Sequence, residues 1–208
     1  MAESLTTGIW NGAPPREPGG GDNSGGRGAS RRVAFTGLWV LLAAIVMFFA
    51  ALTSTYVVRR GLGNDWVTTP LPPVLWVNTA VLVLSSAALE LARRALKSGA
   101  RLAFNGWWST GTLLGLLFLA GQYYAWRQLW AAGIYLPTNP SASLFYVFTG
   151  AHAVHLVGGV VALLYVNAQA LRLRLGPGKR TAADVSAVYW HFLDGLWIYL
   201  LVIFLIWG

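Results

Sequence analysis

From residue 33 onward the chain alternates long apolar runs with short clusters of basic, glycine and proline residues, whereas residues 1–32 contain no apolar run. A helix needs about 20 residues to cross the hydrocarbon core of a bilayer. Five segments qualify, at about 33–58, 74–96, 108–130, 142–171 and 185–207. Strands are not expected at these lengths, because backbone polar groups in lipid must be satisfied within a helix or a closed barrel. The pattern therefore predicts an all-α polytopic membrane protein, a bundle of five transmembrane helices over 33–208 behind a disordered tail over 1–32.

The interruptions divide the runs. Gly61, Gly63, Asn64, Asp65, Pro70, Pro72 and Pro73 break the chain after the first. Pro137, Asn139 and Pro140 follow the third, and Gly176, Pro177 and Gly178 follow the fourth. The tail holds eight glycines, three prolines and charges of both signs. Lacking an apolar stretch, it does not read as a secretory signal peptide.

Composition supports a membrane chain. Hydrophobic residues make up 56% of the 208 and charged residues only 11%, too few to cover a water-facing surface. The net charge is +8, but the basic residues sit in short clusters between apolar runs. That placement suits loops held against anionic phospholipid headgroups and argues against nucleic-acid binding. There is no cysteine, so disulfides, thiolate metal sites and cysteine nucleophiles are excluded.

The distribution of Lys and Arg predicts an orientation. The tail, the second loop and the fourth loop together carry twelve, against Arg59, Arg60 and Arg127 on the other side. The positive-inside rule then puts the N-terminus in the cytoplasm, and five crossings leave Gly208 outside. Trp107 and Trp108 are expected at the inner interface, and Trp130 and Trp207 at the outer one. Gly111 and Gly115, four residues apart, allow close helix packing, a weak signal alone.

Ionisable side chains within the spans are expensive and should face protein or water. Five stand out: Glu90, His152, His155, His191 and Asp194. His191 and Asp194, three residues apart, share a helix face. His155 and Asp194 fall near the middles of their helices, which predicts a hydrogen bond between them, direct or through water. His152 is expected on roughly the face of His155. Such a cluster most often locks helices together, and a proton-relay or hydration role is the sharper alternative. Glu90 precedes Arg93 and Arg94 at i+3 and i+4, which predicts an intrahelical ion pair snorkelling to the inner interface; a proton antenna is the alternative. Arg127, with Gln122, Tyr123, Tyr124 and Trp126, reads as an interfacial cap toward lipid or a partner.

Longer motifs carry a resemblance. The fifth run holds Tyr189-Trp190-His191-Phe192, then Asp194, Trp197 and a closing Trp207-Gly208. The fourth holds Phe145-Tyr146-Val147-Phe148-Thr149-Gly150, then His152, His155 and Gly158. The third has Leu114-Gly115, Phe118, Gln122 and Trp126; the second has Asn78-Thr79 and Ser85-Ser86; the first has Trp39, Met47-Phe48-Phe49 and Tyr56. Together these resemble subunit III of cytochrome c oxidase, in a five-helix form, over residues 33–208. Two departures stand out. That family usually has a glutamate where this chain has Ile45, and tends to have one where it has Ala125.

The resemblance implies a non-catalytic subunit of a bacterial-type plasma-membrane oxidase in aerobic electron transport. Haem and copper would belong to partner subunits I and II, with no cofactor or metal in this chain. It would pack on and stabilise subunit I, support proton uptake, and hold phospholipid. Thr149, Gly150, Tyr189, Trp190, Trp197 and Gln122 would serve packing, and Arg93, Arg94, Arg127 and Trp126 the lipid interface. A quinol oxidase or a nitric-oxide-reductase-linked homologue is the alternative within the family. A small proton-coupled transporter is a more distant one, without the broken helix or inverted repeat expected of it.

Overall fold

The computed structural model describes residues 23–62, 72–134, 140–172 and 177–207. They form five helices: α1 (Asn23–Leu62), α2 (Val74–Lys97), α3 (Arg101–Ala131), α4 (Pro140–Leu171) and α5 (Pro177–Trp207). Proline sets three of the starts. Pro140 and Pro177 open α4 and α5, where a missing N–H leaves no bond unmade, and Pro73 stands at the N-cap of α2.

Glycine sets two of the ends. Gly99 has φ 78° and Gly133 φ 75°, a left-handed conformation costly to residues with a Cβ. At the end of α2, Gly99 N–H donates to Leu96 O and Ala100 N–H to Ala95 O. Gly133 to Trp130 and Ile134 to Leu129 repeat the arrangement after α3. Both are Schellman caps that satisfy the last carbonyls of a helix. The first turns the chain back within three residues, so α2 and α3 form an antiparallel hairpin.

Helices α2, α3, α4 and α5 close into a ring, each packed on its two neighbours, and α1 lies outside against α4 and α5. Its buried positions, Leu38, Leu42, Ile45, Phe49 and Tyr56, make one narrow stripe. In lipid there is little hydrophobic gain from pairing helices, so close contact between small residues and interhelical hydrogen bonds hold the ring. At Gly111 an added Cβ would lie 2.8 Å from Leu89 Cδ2 and 3.2 Å from Ser85 O on α2. The Ser85 hydroxyl donates to Gly111 O at 2.8 Å, and Asn78 Nδ2 donates to Phe118 O at 3.2 Å. Trp190 of α5 is wedged between Gly115 of α3 and Gly159 of α4. The two glycines noted in sequence therefore serve different neighbours, α2 and α5.

Some expectations change. Residues 23–32, expected in the disordered tail, form the start of α1. Extending an existing helix fixes one residue per hydrogen bond gained, far less costly than nucleating one. Residues 1–22 lie outside the described residues. Gly61 and Gly178, expected as breakers, fall within α1 and α5, near ends where one glycine costs only about 1 kcal/mol. Gly63, Asn64, Asp65, Pro70, Pro137, Asn139, Gly176 and Gly208 are outside the described residues. Trp108, expected at the interface, is fully buried, and its Nε1 donates to Leu163 O at 3.1 Å.

Four helices, α1, α2, α4 and α5, are long and apolar enough to cross a membrane by length and composition. The 31 residues of α3 are long enough, but glycine, tryptophan and tyrosine dilute its apolar run.

Candidate functional site

Charged side chains of three helices meet at the end of the bundle where α2 finishes and α5 begins. Glu90 accepts from Arg93 Nη1 at 2.9 Å and from Arg94 Nε at 3.5 Å, the intrahelical pairs that the i+3 and i+4 spacing implied. Arg93 also reaches α5, its Nε 3.4 Å from Asp184 Oδ1. Arg31 of α1 approaches the other oxygen of Asp184 at 3.9 Å. Asp184 thus joins α1, α2 and α5. Sequence reasoning missed it by starting the fifth helix at about 185. The signal was present, since Asp184 lies seven residues before His191, two helical turns along one face.

The network continues into the bundle. His191 Nε2 is 4.0 Å from Glu90 Oε2, and on the other side of the ring Nδ1 hydrogen-bonds the Ser86 hydroxyl. Ser86 also neighbours the Asp194 carboxyl, one turn farther along α5. Asp194 is only 6% exposed, and neither of its oxygens makes a hydrogen bond of good geometry. His191 and Asp194 share a face, as their spacing required, and that face looks at α2.

The expected bond between His155 and Asp194 is not made. His155 Nδ1 donates to Ala151 O at 2.8 Å, one turn back on its own helix. The ring lies against Phe49 and Phe48 of α1, with centroids at 5.9 Å and 6.4 Å. Nor do the two α4 histidines work together. His152 is 1% exposed, lies against Trp197 at 5.4 Å and Phe118 at 6.5 Å, and has no partner on either nitrogen. Three residues advance a helix by 300°, so the rings diverge by about 60°. That is enough to send one toward α1 and the other toward α3 and α5.

Some of the remaining motif residues make interhelical bonds, whereas Gly150, expected to serve packing, meets no neighbour. Trp126 Nε1 donates to Thr149 Oγ1 at 3.3 Å, and Thr149 donates to Phe145 O at 2.8 Å. Trp197 Nε1 donates to Thr79 Oγ1 at 3.0 Å, and the Tyr189 hydroxyl to His155 O at 3.1 Å. Gln122 is buried with its amide unpartnered. Gly150 has open space where a Cβ would stand. Arg127 is exposed and donates to the Tyr123 hydroxyl at 3.4 Å. Ile45 and Ala125 are buried, at 2% and 0% exposure, each an apolar side chain in a packed setting.

Among the described residues, no three His, Cys, Asp or Glu side chains converge as a metal ion would require. His191 faces α2, His152 faces Trp197 and Phe118, and His155 faces α1, so no two oppose each other across a gap.

Comparison with known proteins gives a consistent answer. The family profile described as cytochrome c oxidase subunit III matches residues 33–208. A probable cytochrome c oxidase subunit 3 of Mycobacterium tuberculosis is 32% identical over 171 residues, covering 80% of this chain and 84% of the relative. The cytochrome c oxidase subunit 3 of Corynebacterium diphtheriae is 33% identical over 172 residues, covering 80% and 84%. That of Thermostichus vulcanus is 32% identical over 172 residues, covering 79% and 82%.

Proposed function

The chain belongs to the cytochrome c oxidase subunit III family, and from that membership we propose that it packs directly on subunit I of its oxidase, steadies it and supports proton uptake. It is a membrane subunit of a haem-copper oxidase complex. In the proposed role the oxygen chemistry, with its haem and copper, belongs to subunits I and II. This chain supplies a packed helical scaffold and a charged surface. The observation that carries the reading is the family match across all five helices, with the motif residues engaged in interhelical contacts such as Trp126–Thr149 and Trp197–Thr79.

The proposed placement is a bacterial-type plasma membrane with five crossings. The fifth is α3, which is enclosed by α2 and α4 and touched by Trp190 of α5. The basic ends, twelve Lys and Arg against three, face the cytoplasm, which puts the Glu90–Arg93–Asp184 network at the side from which protons are taken. Phospholipid headgroups are the proposed contacts of Arg94 and Arg127, both exposed. The electron donor, cytochrome c or quinol, is set by the other subunits.

The test is to purify the oxidase from cells lacking this chain. The haem-bearing core should keep its redox spectrum, denature at lower temperature in detergent, and take up protons more slowly. An absent or unchanged effect on both stability and uptake would contradict the proposal.

A further inference from the structure

We propose that Asp194 is a proton-holding carboxyl inside the bundle, loaded from the basic end of the molecule through Glu90, His191 and Ser86. This deepens the proton-uptake part of the proposed function and rests on it only for which end faces the cytoplasm.

The geometry is a line of neighbouring exchangeable groups joined by one hydrogen bond, between His191 and Ser86. Glu90 is half-exposed at the charged end, held by Arg93 and Arg94. His191 Nε2 stands 4.0 Å from its carboxylate, and Nδ1 is bonded to the Ser86 hydroxyl. Beyond Ser86 lies Asp194, buried, with the Ser86 hydroxyl beside its carboxyl and no hydrogen bond of good geometry to either oxygen. A carboxylate is costly to bury in such a place, and a carboxylic acid escapes most of that cost. A buried carboxyl with exchangeable groups leading to it from the surface is placed to hold a proton.

The charged surroundings agree. The groups that face the relay are Glu90, Arg93 and Arg94 from α2 and Asp184 from α5, with Arg31 of α1 reaching Asp184. The α4 histidines stand elsewhere, His152 against Trp197 and Phe118, and His155 against Phe48 and Phe49. Transfer balances. Protonated Glu90 gives its proton to His191 Nε2, the Nδ1 proton passes to Ser86 Oγ, and the Ser86 hydroxyl proton passes to an Asp194 oxygen. Each step breaks one O–H or N–H bond and forms another. His191 ends in its other tautomer and resets by exchange or by turning before the next proton.

The test is infrared difference spectroscopy on the purified, assembled oxidase, after a pH change and after transfer to D2O. We expect a protonated-carboxyl stretching band that Asp194→Asn removes. Its deuterium exchange should slow on the order of a hundredfold in Ser86→Ala and in His191→Phe, the scale on which a positioned proton carrier acts. Should Asp194→Asn fail to assemble, isotope-labelled aspartate assigns the band in the unaltered complex, and the Ser86→Ala comparison stands. No aspartic-acid band, or exchange unaffected by both relay variants, overturns the proposal. Proton-uptake rates on the same samples separate the two readings. A band that exchanges through the relay while uptake is normal keeps the store and removes the uptake role.

Discussion

Trp190 of α5 lies so close to Gly115 of α3 that a Cβ added at 115 would stand 2.7 Å from Trp190 Cη2. On its other side the same ring is 3.1 Å from the position a Cβ would take at Gly159 of α4. One indole thus fills the space that two glycines open between three helices.

Gly115→Ala should therefore overpack the ring. The indole is rigid and fully buried, so the strain falls on helix separation, at about 1–3 kcal/mol. Gly150→Ala meets nothing within 4 Å and should be tolerated. Thermal dissociation of the subunit from the detergent-solubilised complex would show a lowered midpoint for the first and not the second. Equal midpoints would mean that the glycine does not set the spacing.

Asp184→Asn should loosen α1 and α2 from α5 at the charged end. The contacts are 3.4 Å to Arg93 and 3.9 Å to Arg31. Since Arg31 is largely exposed, its pair is worth about 0.2–1 kcal/mol at most. Proteolysis at the start of α1 should become faster, and raising the salt should erase the difference between variant and parent. A difference that persists in high salt would point to packing instead of charge.

Trp126→Phe keeps the aromatic contact with Tyr146 and removes the donor to Thr149. The loss should be about 0.5–1.5 kcal/mol, the net value of a neutral hydrogen bond. A double-mutant cycle with Thr149→Val would measure the coupling, and a coupling near zero would mean that the bond does not hold α3 to α4.

Ile45→Glu and Ala125→Glu put back carboxyl groups at positions where the family tends to have them. Here both sites are apolar and buried, and an unpartnered carboxyl inside a membrane bundle costs several kcal/mol. Both variants should be recovered in reduced amounts from the assembled complex, as gel quantification against a partner subunit would show. Normal recovery would indicate polar partners for these sites in the assembly.

The sequence made the helices legible because lipid leaves a spanning segment few choices, and the i+3 and i+4 spacing made the Glu90–Arg93–Arg94 pairs legible as well. It also put His191 and Asp194 on one face. It could not show which neighbour that face meets, because rotation about each helix axis is set by packing. His155 and Asp194 match in depth along their helices, yet the rotation of α4 aims His155 at Phe49. Ser85 and Ser86 are adjacent in sequence, yet one bonds α3 and the other α5. Asp184 was hidden by composition, since the polar first turns of α5 read as loop until the helix is seen to begin at Pro177.

Membership of an oxidase complex is tested by purifying the tagged chain in mild detergent, identifying the co-purifying proteins and recording a reduced-minus-oxidised spectrum. A large haem-bearing subunit should be recovered, with haem and copper in the eluate. Recovery of the chain alone and colourless, from membranes where the intact oxidase is separately detected, would contradict it.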